Sequence, residues 1–551
     1  NASGYLAEVF FPAGSYRVGS TNAYALPLEN LSDICLKGEG TNTVLLVSNP
    51  ENGCLGFAYS TNVAVQGLVV DYDPLPFTQG TITAVDTAGG TFDLLIDPGY
   101  PELSEPSFSA ANAKWGLKVD LAREAYDVWA YFSSSWVNIG VREWRMAADT
   151  PSYLQAHPLS VGDRYVHMAR RWTAFDIGFD FCMGVELRDV TVYASAGLTT
   201  GLIYSGDIVI HGLHVGRKPG STRLLSSNGD GIHSAGCSDG LLIEDCSFEG
   251  MPDDGINIHG RGGPIISNVT DTVKWVGMQR PAFYAAGDEI QILNNAAGGI
   301  RGNAILLDAV RLNDYVWEIT LDHPMPDVYA DPAWVNGDKL SNLSRCGQGS
   351  IIRNNFFGSH RGRDILLRSH DVTVTNNHFF NPSLASHAVS LQQEYGYYAE
   401  GPPAYNVDIC GNLFEGGTNR WSWSSPRVST RSYLPGGIQS PTYDSWNVEI
   451  KGNTFMNIDG PAVTVTSASD VRIINNTVDT EFGIKVASSP VVLLEHAYDI
   501  QIDGLDIHDL NPATYAAVHI KDTVSPLLGS VVVTDLTTDL AAGSTDIQDD
   551  R

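Results

Sequence analysis

Between Ser226 and Gly260 the chain reads SSNGDGIHSAGCSDGLLIEDCSFEGMPDDGINIHG. Two phrases in this stretch echo each other: Gly229-Asp230-Gly231-Ile232-His233 and Asp253-Asp254-Gly255-Ile256-Asn257. Three carboxylates brought together repel one another, so at least one keeps its proton where its neighbours are ionised. A protonated acid beside an ionised base is what glycoside hydrolysis needs. One group protonates the leaving oxygen, and the other activates water or attacks the sugar. Asp230, Asp253 and Asp254 are therefore the candidate catalytic residues. A single Asp-Gly is commonly only a turn, but two matching phrases with a doubled Asp exceed what a turn requires. Clustered Asp can also bind calcium, but the short G-G-x-G-x-D-x repeat of calcium-binding β-rolls is absent.

His233, Asn257 and His259 border the carboxylates. A second group, His360-Arg361-Gly362-Arg363 with Arg368, offers cations that would tune carboxylate pKa values or donate to sugar hydroxyls. Farther along, Gln393, Glu394, Glu400 and Trp421 supply the amide, carboxylate and aromatic groups suited to sugar recognition. All of these are candidate substrate-binding residues. No catalytic-Ser elbow, H-E-x-x-H helix, Walker loop or dinucleotide fingerprint occurs, and no metal or cofactor is expected.

The elements that must position these side chains are short repeated strands. The pattern is apolar-x-apolar, a polar residue, then Asn, Asp or Gly, then an apolar residue. It reads VELRDVTV from Val185, IVIHGLHV from Ile208, LLIEDCSF from Leu241, IIRNNFF from Ile351, VTVTNNHF from Val372, VDICGNLF from Val407, VEIKGNTF from Val448 and VRIINNTV from Val471. One such strand cannot bury its apolar face alone, whereas stacked coils form a continuous core. The period places Asp230 on the coil next to Asp253 and Asp254, about 4.8 Å away along the stack. A pair spread over two coils would reach the roughly 6.5–9.5 Å separation of inverting glycosidases. Asn355, Asn377, Asn412, Asn453 and Asn476 hold matching places and are expected to form a structural ladder rather than ligands.

Two stretches break the repeat. The expected fold is all-β: a right-handed parallel β-helix with two inserted small β-barrel domains. Its parts are 1–74, an inserted barrel at 75–175, the carboxylate-bearing helix at 176–260, a second barrel at 261–345, and the remaining helix with its cap at 346–551. The His360 coil should then stack directly on the Asp253 coil.

Bulk properties narrow the partners. A net charge of −30 disfavours nucleic acid and anionic membranes, and no apolar run is long enough to span a bilayer. The seven Cys form no C-x-x-C pair. Cys35 with Cys54, or Cys237 with Cys246, could bridge, and the sequence does not decide between these and free thiols. The chain begins at Asn1 and is read as a processed, secreted or periplasmic protein.

At the Asp phrases, the His360-Arg361-Gly362-Arg363 coil with its following I-L-L-R, and the barrel-interrupted β-helix, the sequence resembles glycoside hydrolase family 110. Those enzymes release α-1,3-linked galactose with inversion. The resemblance implies acid and base roles for the three Asp, with Asp230 as acid and the Asp253–Asp254 pair as base, and a glycan partner ending in α-galactose. A homodimer is left open. Polygalacturonases share a three-Asp arrangement, but their Gly-His-Gly and Arg-Ile-Lys phrases are missing here. A polysaccharide lyase or a non-catalytic glycan-binding β-helix would also fit a chain of stacked coils.

Overall fold

The structure is a computed structural model. It describes residues 7–122, 125–171, 175–278, 282–380, 387–395, 399–416, 425–480, 487–527 and 529–551. Three parallel walls form a β-helix, right-handed as crossovers between parallel strands almost always are. One wall is a thirteen-stranded sheet from Gly14–Val18 to Thr537–Leu540. A second runs from Tyr24–Glu29 to Thr545–Asp549, and the third from Ala7–Phe10 to Val531–Thr534. The alternating pattern of the repeat drives each strand's apolar residues inward. A single apolar cluster extends from Ala25 to Val524.

Like residues stack on like. Phe248, Phe357, Phe379, Phe414 and Phe455 overlie one another with ring centroids 5.2, 4.9, 4.7 and 4.8 Å apart. Each buried ring stabilises the helix by roughly 1.5–3 kcal/mol. The expected Asn ladder is present. The side-chain amides of Asn355, Asn377, Asn412 and Asn453 each donate to the Oδ1 of the next member, at 2.9–3.0 Å. The left-handed backbone at these corners falls one residue earlier, at Asn354, Asn376 and Asn475 (φ 58°, 55° and 52°). One Asn therefore bends the chain and the next ties the coils together.

Both interruptions are antiparallel β insertions with their own cores. The first leaves after Val69–Tyr72 and returns at Ile177–Asp180. Its seven strands, ordered from Ala125–Phe132 to Ser135–Gly140, roll around a core but leave the ladder open between those two. They adjoin in sequence, and Ser133 and Ser134 turn a corner between them. Asp149 N–H bridges the gap to Phe132 O at 2.9 Å. The second insertion is a closed six-stranded barrel. The strand Ile256–Asn268 starts on the helix, enters the barrel, and pairs there with both Val273–Gly277 and Lys339–Asn342. The remaining pairings complete the ring. All seven cysteines are free, so neither suggested disulfide forms. They are packed mainly as buried small apolar side chains.

Candidate active site

The site lies on the outer face of the wall containing Ile232–Ala235, Ile256–Asn268 and Ile365–Arg368. Ile232 pairs with Ile256, and Ile256 with Ile365. The second insertion loops out, so the His360 coil does stack on the Asp253 coil. The register also refines the expectation. Because Ile232 faces Ile256, Asp230 aligns with Asp254, and Asp253 sits one residue outside that row. The three aspartates offer oxygens that all lie within 4.8 Å of one another.

Asp230 is 3% exposed, with Oδ2 2.8 Å from His233 Nδ1. Burial, then the charges of Asp253 and Asp254, push its carboxyl well above the ordinary range. Asp253 is the most open of the three, with its side chain 29% exposed. Burial opposes its charge, but Arg170, Arg361 and Arg363 outweigh that effect and hold it below the ordinary range. Asp254 is buried. Arg363 grips both its oxygens, Nε to Oδ1 and Nη2 to Oδ2 at 2.8 Å each, and donates its backbone N–H to Oδ1 at 2.9 Å. Asp253 and Asp254 are thus engaged by guanidinium groups, and Asp230 by an imidazole. Gly362 is required here, since a Cβ would lie 2.0 Å from the backbone carbon of Asp253.

Arg170 was not singled out in the sequence. It ends the last strand of the first insertion, Arg164–Arg170, and donates from Nη1 to Asp253 Oδ2 at 2.8 Å. Arg361 is held by the same insertion. Its guanidinium lies over the Trp115 ring at 5.3 Å and donates to Val128 O at 3.0 Å. The insertion therefore forms one side of the site.

The other predicted residues divide into two sets. His233 and Asn257 stand side by side in the outward row, and the Asn257 Oδ1 is buried without a hydrogen-bond partner. His259 follows two residues on. Its Nε2 is 3.3 Å from His233 Nε2 and 3.7 Å from Glu400 Oε1, and burial pushes its pKa down to about 3. Arg368 pairs with Glu400 and approaches Glu394 at 3.7 Å. Both Arg368 and Glu400 are buried, so they brace the floor of the site.

Two residues do not reach the cleft. His360 is fully buried beneath the turn, with Nδ1 2.9 Å from Gly358 O and Nε2 3.3 Å from Arg363 O. The tight turn that lifts Arg363 toward Asp254 folds His360 underneath. Gln393 is 2% exposed and its amide packs 3.2 Å from the carbonyls of Glu400 and Pro402. In this structure both lie beneath the site, where they support its turn and floor. Trp421 lies outside the described residues.

No family model matches the chain. Curated proteins do resemble it. It is 26% identical over 300 residues to alpha-1,3-galactosidase B of Akkermansia muciniphila, covering 53% of this chain and 37% of that protein. It is 25% identical over 309 residues to alpha-1,3-galactosidase A of Bacteroides fragilis, covering 53% and 48%. The match to alpha-1,3-galactosidase B of Bacteroides thetaiotaomicron is 24% over 495 residues, covering 85% and 77%. The aligned region thus spans half or less of the first two relatives. In shape the chain is similar to a thermostable α-1,3-glucanase from Streptomyces thermodiastaticus, with TM-score 0.47 and 11% identity over 98% of this chain and 64% of that one. It is also similar to an exopolygalacturonase from Yersinia enterocolitica, with TM-score 0.42 and 11% identity over 99% and 72%. Across most of its length the chain is similar to proteins named alpha-1,3-galactosidase, the family that its aspartate and arginine phrases resemble.

Proposed function

We propose that this protein is a secreted or periplasmic glycoside hydrolase that releases terminal α-1,3-linked galactose from oligosaccharides or glycans with inversion. One observation carries the reading. A carboxyl pushed toward its protonated form, Asp230, stands beside two arginine-paired aspartates on a chain related to α-1,3-galactosidases. In this reading Asp230 gives its proton to the glycosidic oxygen as the bond from that oxygen to C1 breaks. Water held by Asp253 and Asp254 adds to C1 and loses a proton to the pair. Asn257, beside His233 in the outward row, is placed to bind a sugar hydroxyl.

The alternative stereochemical outcome is direct attack on C1 by one of the carboxylates, with configuration retained. Hydrolysis of Galα1,3Gal by wild type, Asp253→Asn and Asp254→Asn, with the first-formed anomer followed by NMR, separates the two. β-Galactose, lost in either folded variant, supports inversion at this site. α-Galactose supports retention. No release from this or related galactosides overturns the galactosidase reading.

A further inference from the structure

The outward row that carries His233 and Asn257 continues toward the N-terminus as Gly201, Gly178 and Gly56, in register on three preceding coils. Three aligned glycines leave a furrow along the helix axis. Two half-buried aromatic rings fill its bottom and form its floor. A Cβ on Gly201 would meet the Phe175 ring at 2.1 Å, and one on Gly56 would meet the Tyr24 ring at 2.3 Å. On Gly178 it would meet the Tyr24 hydroxyl at 2.2 Å. Larger residues would lift these rings from the strands.

The furrow is continuous with the site. Phe175 N–H donates to Tyr24 Oη at 3.4 Å, and the Phe175 ring stacks on His233 with centroids 6.3 Å apart. At its far end lies a cavity of about 630 Å³, lined by Asn22, Tyr24, Glu29, Ala58 and Asp180 among others. Gly178 is two coils from Asp230, roughly 10 Å at about 4.8 Å per coil. Each coil step, about 4.8 Å, is close to the length of one hexose in a chain. On the C-terminal side the site is covered instead. Glu400–Gly401 pairs with Gly260 and Arg261, and Glu400 is buried against Arg368.

We propose that this furrow binds the part of the substrate behind the galactose: two or more neutral sugar residues, stacked on Phe175 and Tyr24 and ending in the cavity at Asp180. Glu29 and Asp180 disfavour sulfated or uronate sugars there. Stacking against an aromatic face suits a neutral pyranose, and binding energy gained there can be spent at the bond being broken. The proposal rests on the galactosidase reading.

The test is kcat/KM on neutral oligosaccharides with a terminal Galα1,3 unit, from disaccharide to pentasaccharide. It uses wild type, Tyr24→Ala and Ala58→Trp, the last filling the cavity from its wall. Wild type should gain about tenfold with length, and both variants should flatten that gain. A sulfate on the distal sugar should cancel it. Should Tyr24→Ala fail to fold, Ala58→Trp carries the test. Release at equal efficiency from every length, or a gain that survives in the folded variants, overturns the furrow and leaves the galactosidase standing. No release from any length overturns both.

Discussion

Arg363 and Asp254 are 109 residues apart in sequence and meet through two hydrogen bonds of 2.8 Å each. The second barrel is inserted between them, so the pair closes only when that barrel loops out. Guanidinium and carboxylate planes match, which a lysine cannot reproduce. Replacing Arg363 with Ala should lower kcat/KM by about 10²-fold or more through misplacement of Asp254. It should also destabilise the fold by roughly 3 kcal/mol, since a buried carboxylate loses its partner. Arg363→Lys should fall between. Steady-state kinetics beside thermal melts check both effects.

The pH profile should be bell-shaped. Activity needs Asp230 protonated and Asp253 ionised, so the alkaline limb follows Asp230, above the ordinary carboxylate range, and the acid limb follows Asp253, below it. Arg170→Gln removes a cation from Asp253, raises its pKa and moves the acid limb to higher pH. Stability follows the same signs. The contribution of Asp230 is present below its unfolded value and lost as pH rises through its raised folded value. That of Asp253 is present above its unfolded value and lost as pH falls through its lowered one. Profiles of kcat/KM against pH for wild type and Arg170→Gln decide the matter; an unmoved acid limb would count against the role given to Arg170.

Asp176 sits at the return from the first insertion, fully buried, with its Oδ1 accepting from the Tyr72 hydroxyl at 2.7 Å. Burial pushes its carboxyl up to about 8. Between its unfolded value and about 8 the folded state holds a proton that the unfolded state has released, so stability declines by about 1.4 kcal/mol per pH unit. Asp176→Asn should abolish that decline. Chemical denaturation of both proteins between pH 5 and pH 8 measures it.

Within the Asn ladder, Asn453 accepts from the Asn412 backbone N–H at 2.9 Å and donates to Ile409 O at 2.9 Å. Asn453→Ala leaves both backbone groups buried without those partners. It should destabilise by about 2–4 kcal/mol, seen as a lowered denaturation midpoint, with no displacement of the pH limbs.

The solenoid, its interruptions, the ladder and the pairing of the Asp coils were legible in the sequence. In a solenoid each residue's neighbours are its equivalents one period away, so alternation and spacing determine contact. The echo of Gly229–His233 in Asp253–Asn257 placed three carboxylates together for that reason. Other features have no period to reveal them. Arg170 reaches Asp253 across an insertion whose packing against the helix depends on the whole surface. At coil corners strand alternation lapses, so turn conformation buried His360 and raised Arg363. The glycine furrow was hidden too, because single glycines scattered over three coils become a groove only when hydrogen-bonded registers align them. Only the tertiary structure decided those contacts, since they arise where different elements meet rather than where one pattern repeats.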